Sequence, residues 1–214
     1  MIPLPSGSRI GILGGGQLGR MLALAAAPLG YRCHIFGPEA APPAGQVADA
    51  VTIADYLDEA ALNRFAESVD VVTLEFENVP AAALEFLADR VPVRPGAKAL
   101  ATAQDRLVEK DFANSVGAAT APYATVDGLA DLRAAIAEIG PRAVLKTRRM
   151  GYDGKGQAML GPDSDLVQAW AAMAGAPSIL EGFIPFDGEV SVIAARSLDG
   201  RVSAYPPIAN RHRD

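Results

Sequence analysis

The sequence predicts an α/β chain in two parts: a parallel sheet wrapped by helices up to residue 96, and a compact α+β unit beginning after residue 119. Three observations carry this reading. Short apolar runs alternate with helical stretches as far as Val93, the pattern of βαβ units. A glycine cluster, Gly14-Gly15-Gly16-Gln17-Leu18-Gly19, stands between the first such run and the first helical stretch. Beyond Thr120 the order changes to strand, helix, strand, glycine-rich loop, strand.

The elements follow in order. Residues 9–13 read as a strand, and residues 17–29, rich in Leu, Ala and Met, as a helix ended by Gly30. Residues 32–36 form the next strand, 58–67 a helix, 70–74 a strand and 81–88 a helix, with 91–93 as a last short edge. A single helical pattern with more charge runs from 97 to 115, so the main boundary falls near Gly96 and residues 97–119 connect the two parts. Strands at 123–126, 143–147 and 178–183, a strand after Gly156, and helices at 129–139 and 165–174 make up a unit over 120–184. Residues 189–196 and 201–205 alternate like an antiparallel pair turned at Asp199-Gly200. They open a further sheet in 185–214, which the sequence does not complete before Asp214.

At 214 residues the chain can bury a real core. A net charge of −6 argues against generic nucleic-acid or anionic-membrane binding. No apolar run is long enough to span a bilayer, and residues 1–8 lack the basic and apolar regions of a signal peptide and read as a mobile lead-in. One cysteine, Cys33, allows neither an internal disulfide nor a cysteine-rich metal site, so a cytosolic protein is expected. Cys33 reads as a small core residue, and His34 beside it as a structural or surface histidine.

The chemistry concentrates in Lys146-Thr147-Arg148-Arg149-Met150-Gly151-Tyr152-Asp153-Gly154-Lys155-Gly156-Gln157. Glycines let a backbone approach an oxyanion, and lysines add point charges suited to phosphate. The plain alternative is a hairpin loop with glycine at its turns. Clustered cations there are expected to repel one another until an anion neutralises them. In the first part, the glycine cluster matches a dinucleotide fingerprint, with Glu39 about twenty residues on as the candidate ribose acid. Glu75 and Glu77 follow a strand tip, and alternation points them the same way with Phe76 opposite; a solvated loop acid is the alternative. Arg94 by itself reads as a surface arginine, Phe183 as core filler, and Asp153 as an ion-pair partner for Lys155.

Six segments in order resemble one family. They are Gly14 to Met21, Thr73 to Pro80, Val93-Arg94-Pro95, the loop at 146–157, Glu181-Gly182-Phe183-Ile184-Pro185-Phe186-Asp187-Gly188-Glu189, and Tyr205-Pro206-Pro207-Ile208-Ala209-Asn210-Arg211-His212. Together they resemble 5-(carboxyamino)imidazole ribonucleotide synthase, the ATPase subunit of the purine-pathway carboxylase, within the ATP-grasp superfamily. One departure is Met150, where the family usually has glycine. The resemblance implies a Rossmann-like pre-ATP-grasp domain over 1–96, an ATP-grasp central domain over 120–184 and the incomplete start of a C-terminal ATP-grasp domain over 185–214.

It also implies roles. Arg94, Lys146, Gly151, Tyr152, Asp153, Gly154, Lys155, Gly156, Gln157, Glu181, Gly182, Phe183, Ile184, Glu189 and His212 would bind ATP. Gly16, Gln17, Leu18, Glu75, Tyr152 and Asp153 would bind 5-aminoimidazole ribonucleotide. The reaction implied is an ATP- and magnesium-dependent (or manganese-dependent) carboxylation with bicarbonate, in a cytoplasmic homodimer functionally coupled to the downstream mutase. Metal ligands are expected in a C-terminal region outside this sequence, which leaves the 214 residues alone without turnover. The rival readings are a non-catalytic ATP-binding module and a dinucleotide-dependent oxidoreductase.

Overall fold

The computed structural model describes residues 4–151 and 155–211. The first unit is a four-stranded parallel sheet in the order β3-β2-β1-β4, made of β1 (Arg9–Leu13), β2 (Arg32–Gly37), β3 (Ala50–Ile53) and β4 (Val71–Leu74). Helices cover both faces. On one side, α1 (Gln17–Ala26) buries Ala23 and Ala26 against Ile12, Cys33 and Ile35. On the other, α2 (Glu59–Glu67) and α3 (Ala81–Ala88) pack Leu62, Phe65, Leu84 and Leu87 against Leu13, Phe36 and Val72. Two-sided cover explains the near-continuous apolar composition of β2, whose residues after Arg32 are all buried. Each fully buried large side chain here contributes about 1.5–3 kcal/mol of transfer free energy.

The structure corrects the sequence reading at several points. The α-helix expected over 17–29 stops at Ala26 and tightens into a 3-10 turn, Ala27–Leu29. Pro28 has no N–H to continue the ladder, and Gly30 then takes a left-handed φ of 82°. The edge strand β3 is absent from the sequence reading. It is only four residues long, follows a segment rich in Ala, Pro and Gly, and alternates between half-buried and exposed. Helix α2 starts at Glu59, because the Asp58 side chain caps it by accepting from Ala61 N–H at 2.9 Å. His34 is structural: its ring nitrogens meet Ser68 Oγ (2.8 Å) and Thr52 Oγ1 (2.9 Å).

The expected single helix over 97–115 is two helices, α4 (Ala97–Ala103) and α5 (Arg106–Ser115). Asp105 breaks the run. Its backbone is extended and its side chain accepts from Leu107 N–H, so it begins a new helix rather than continuing the old one.

The second unit is a four-stranded antiparallel sheet in the order β5-β8-β6-β7. Its strands are β5 (Tyr123–Val126), β6 (Ala143–Thr147), β7 (Gln157–Leu160) and β8 (Ser178–Gly182). One face carries Val126, Ala143, Leu145, Leu160 and Leu180 into a core closed by α6 (Leu129–Ile139) and α7 (Leu166–Ala172). By alternation the opposite face of the strands carries Tyr123, Lys146 and Glu181.

Residues 189–210 form two two-stranded antiparallel pairs. The hairpin turned at Asp199-Gly200 pairs β10 (Ala194–Arg196) with β11 (Val202–Ala204). The strand expected over 189–196 is interrupted at 192–193, and its first part, β9 (Glu189–Ser191), pairs with β12 (Ile208–Asn210), which the sequence reading did not anticipate. Among the described residues no helix is long and apolar enough to cross a membrane.

Candidate active site

In the parallel sheet, β1 is the strand where chain order reverses, with β2 on one side and β4 on the other. Ligands of open α/β sheets bind at such a switch point, outside the carboxyl ends of the strands. Gly14 leaves β1 there, and Glu75 leaves β4. The Glu75 carboxylate accepts from the backbone N–H of Gly16 at 2.5 Å and from that of Gly19. Glycine is required for this approach: Gly14 has φ of 98°, and a Cβ on it would lie 2.5 Å from Glu75 Cγ. Two donors at the start of α1, the N–H groups of Gly16 and Gly19, are thus engaged by the protein's own carboxylate.

The dinucleotide alternative fails on the same geometry. Pro42 packs so closely on Gly15 that a Cβ there would overlap it, and Ala44 N–H donates to Gly15 O at 2.9 Å. At Gly16, the second glycine of the fingerprint, a Cβ would lie 2.9 Å from Glu75 Oε1, so that carboxylate stands where a pyrophosphate would approach. Glu75 and Glu77 also do not act as a pair. The chain bends after Leu74, so strand alternation lapses. Glu77 instead lines a cavity with Gln104, Arg106 and Arg148. Tyr56 was missed from sequence. Its hydroxyl is buried without a hydrogen-bond partner among the described residues. Burial first, then the charges of Glu39 and Glu75, push its pKa up.

The second centre lies on the polar face of the antiparallel sheet. Lys146 pairs in register with Ile179 and Val144 with Glu181, so Lys146 and Glu181 are diagonal neighbours on one face. Lys146 Nζ meets Glu181 Oε2 at 2.9 Å, and Lys110 Nζ approaches the same oxygen at 3.5 Å. Glu181 is 8% exposed, a buried carboxylate with two ammonium partners. A cavity of about 370 Å³ opens beside it, lined by Arg106, Glu109, Lys110, Ala113, Thr120, Lys146 and Glu181. Three cations and two carboxylates line it, which leaves a net positive charge for a polyanion.

Helix α5 reaches this face through its polar residues. Lys110 lies 5.6 Å from the centre of the Tyr123 ring, and Tyr123 Oη donates to Asp111 Oδ1 at 2.5 Å. The glycine-rich loop joins β6 to β7, with Lys146 opposite Gln157. Its base is held rather than loose. Asp105, 5% exposed, accepts from Arg148 Nε (2.9 Å) and Nη2 (2.7 Å), and Arg149 Nε is 3.5 Å away. Burial opposes ionisation of Asp105. The hydrogen bond from Arg148, those from the N–H groups of Leu107 and Val108, and the Arg148 charge outweigh it and hold the carboxyl below the usual aspartate value. The expectation of mutually repelling cations is therefore corrected for Arg148 and Arg149, which share a buried counter-charge. Met150 has φ of 62°, a left-handed conformation that disfavours any side chain, and is 69% exposed.

Lys146 and Glu181 share one cavity and Gln157 pairs with Lys146 across β6 and β7, whereas Gly151 and Gly156 line two other cavities beside Arg148. Gly182 ends β8 and Phe183 follows it, their N–H groups donating to Pro122 O and Arg142 O, and Phe183 and Ile184 are exposed. Lys155 closes the loop and Leu18 lies exposed on α1 beside Gln17. Glu189 accepts from Asn210 Nδ2 at 2.7 Å across the β9–β12 pair. Arg94 is exposed, donates to Val93 O at 2.6 Å and does not line the Lys146 cavity. Tyr152, Asp153, Gly154 and His212 lie outside the described residues. Sequence reasoning missed Arg106 and Lys110. The signal was present in Asp105, an N-cap residue inside a helical run, which turns both cations onto one face of a fresh helix.

Comparison with known proteins agrees with this two-part layout. Residues 8–104 match the ribonucleotide synthetase preATP-grasp domain, and residues 111–214 match the ATP-grasp domain. Fold and site together define an ATP-grasp chain preceded by its preATP-grasp domain. The N5-carboxyaminoimidazole ribonucleotide synthase of Brucella melitensis is 49% identical over 99% of this chain and 59% of its own length. An N5-carboxyaminoimidazole synthetase from Staphylococcus aureus, complexed with ADP, superposes with a TM-score of 0.93 at 35% identity, over 98% of this chain and 56% of that one. The Aspergillus clavatus enzyme, in complex with ADP and 5-aminoimidazole ribonucleotide, gives a TM-score of 0.85 at 26% identity, over 98% and 55%. Across nearly its whole length the chain is similar to N5-carboxyaminoimidazole ribonucleotide synthases, and it spans a little over half the length of these relatives.

Proposed function

We propose that this chain forms the nucleotide-binding and acceptor-binding portion of an enzyme that carboxylates 5-aminoimidazole ribonucleotide with ATP and bicarbonate. The observation that carries the reading is the Lys146–Glu181–Lys110 cluster at the mouth of the glycine-rich loop. An ammonium fixed at a strand end beside a loop with glycine at 151 and 156 suits a chain of phosphates. Bicarbonate would attack the terminal phosphorus of ATP, releasing ADP and giving carboxyphosphate. The exocyclic amine of the acceptor would then attack the carboxyl carbon, expelling phosphate and losing a proton. This chain's residues would position and neutralise: Lys146, Lys110 and Arg106 at the phosphates, and the Glu75 segment at the acceptor. The 26%-identical relative crystallised with ADP and 5-aminoimidazole ribonucleotide supports the choice of ligands.

The reading implies magnesium. Among the described residues no group of three or more His, Cys, Asp or Glu side chains could hold a metal ion. A homodimer and a cytosolic setting go with the same reading, the former checked by sedimentation equilibrium. The deciding experiment is isothermal titration with magnesium–ATP, 5-aminoimidazole ribonucleotide and NADH. Saturable heat with the first two and none with NADH is the expected result. Binding of NADH without ATP would overturn the proposal.

A further inference from the structure

Gln104 and Asp105 are consecutive residues at the break between α4 and α5, and each grips a different loop. Gln104 Nε2 donates to two carbonyl oxygens, those of Glu77 and Val79, both at 2.6 Å. That segment begins with Glu75 at the switch point of the parallel sheet. Asp105 takes the Arg148 guanidinium through both oxygens. Its neighbour Arg106 adds two further ties to the same loop, from its backbone N–H to Arg148 O (3.0 Å) and from Nη2 to Gly151 O (3.1 Å). Between the two gripped segments lies a cavity of about 360 Å³, lined by Glu77, Asn78, Gln104, Arg106, Arg148 and Met150.

We propose that Gln104-Asp105 is a staple that couples acceptor binding to nucleotide binding. The two loops belong to different sheets, and the contacts at these two residues tie both to one short stretch of backbone. Ordering one loop with its ligand restrains the shared staple, so the second ligand has less conformational freedom left to remove. The coupling works in both directions, as linkage requires. Asp105 is suited to one side of the staple, because its charge is committed to Arg148 and its backbone starts α5, which carries Lys110 to the phosphate side. Gln104 is suited to the other, because one amide group holds the chain both before and after Asn78. Both are positioning residues, acting through the loops they hold.

The inference rests on the proposed function, and its test separates the two. The dissociation constant of magnesium–ATP is measured by titration with and without saturating 5-aminoimidazole ribonucleotide. The proteins are the wild-type chain, Gln104→Ala and Asp105→Asn, each checked by a thermal melt. In the wild type the acceptor tightens nucleotide about fivefold or more. In Gln104→Ala that ratio falls to within about twofold of one, and Asp105→Asn lowers it in the same direction. A purely structural role would lower the melting temperature and leave the ratio intact. An unchanged ratio in folded Gln104→Ala overturns the staple while the function stands, as does a wild type that binds both ligands independently. A wild type that binds neither ligand overturns both. Should Asp105→Asn fail to fold, Gln104→Ala decides alone, since its side chain is half-buried and caps no helix.

Discussion

The chain carries two glycine-rich loops, and a carboxylate holds each in the opposite electrical sense. After β1, backbone N–H groups of Gly16 and Gly19 turn inward onto Glu75, an acid delivered by β4. Between β6 and β7, the arginines of the loop turn inward onto Asp105, an acid delivered by the break before α5. The first acid sits on the loop's donors, at the position a ligand anion would want. The second grips the loop's base and leaves Lys146 at the strand end beside Glu181 and Lys110. Glycine lets a backbone be approached closely; what approaches is decided by residues far away in sequence.

That comparison can be broken most directly at Gly14. Gly14→Ala combines a left-handed backbone with a Cβ against Glu75, and a loss of about 2–4 kcal/mol in stability is expected by denaturant titration. Alanine at Gly151, where the nearest atoms to a Cβ are 3.2 Å away, is expected to cost about 1 kcal/mol or less. Equal losses at the two sites would mean that the first loop is not packed around its acid.

Lys146→Ala tests the second loop. Removing a charge-assisted phosphate contact is expected to weaken magnesium–ATP by about 1.5–3 kcal/mol in titration. This exceeds the effect of any charge removed from the first unit, Arg94→Ala included. An unaltered dissociation constant in folded Lys146→Ala would remove the lysine from the site.

Met150→Gly sharpens the contrast from the other side. Relief of a left-handed methionine, less the added chain entropy of glycine, is expected to raise stability by about 0.5–1 kcal/mol in a thermal melt. A fall in stability would show the exposed side chain to be packed in solution.

The smallest expected effect is pH dependence around His34. Burial, then the charge of Arg9, lowers its pKa in the fold, while Ser68 and Thr52 hold both nitrogens. The unfolded chain therefore binds more protons below about pH 6.5, so stability is full above that value and declines as pH falls toward the folded pKa. Unfolding midpoints at about pH 7.5 and about pH 5.5, either side of the ordinary histidine value, measure the slope, and His34→Gln should flatten it.

Much of this was legible in the sequence where one physical signal dominated. Strands β1, β5 and β6 and helices α3 and α6 carry unmixed periodicity between clear stops, and the sequence reading matches their bounds. The Lys146 loop was legible because glycine and lysine cluster there. What was hidden depends on through-space partners. No local signal says that Glu75 will turn back onto Gly16, or that Pro42 will cover Gly15. The break at Asp105 was obscured because neither Gly nor Pro marks it, and with it went Arg106 and Lys110. Strands β3 and β12 are too short and too exposed to show a period.

The terminal strand pairs have a consequence for the time scale on which different parts of the chain open. Every residue of β9 to β12 except Asn210 is exposed, large apolar side chains such as Val190, Val202 and Ile208 included. Their ladder hydrogen bonds are therefore not backed by a buried core, whereas Leu145 and Leu180 are completely enclosed. In the 214-residue chain, amides in β9 to β12 are expected to exchange with solvent through small local openings, and those of β6 and β8 only when the second sheet comes apart. Glu189, at the start of β9, stands on the fast side of that divide, while Lys146 and Glu181 stand on the slow side.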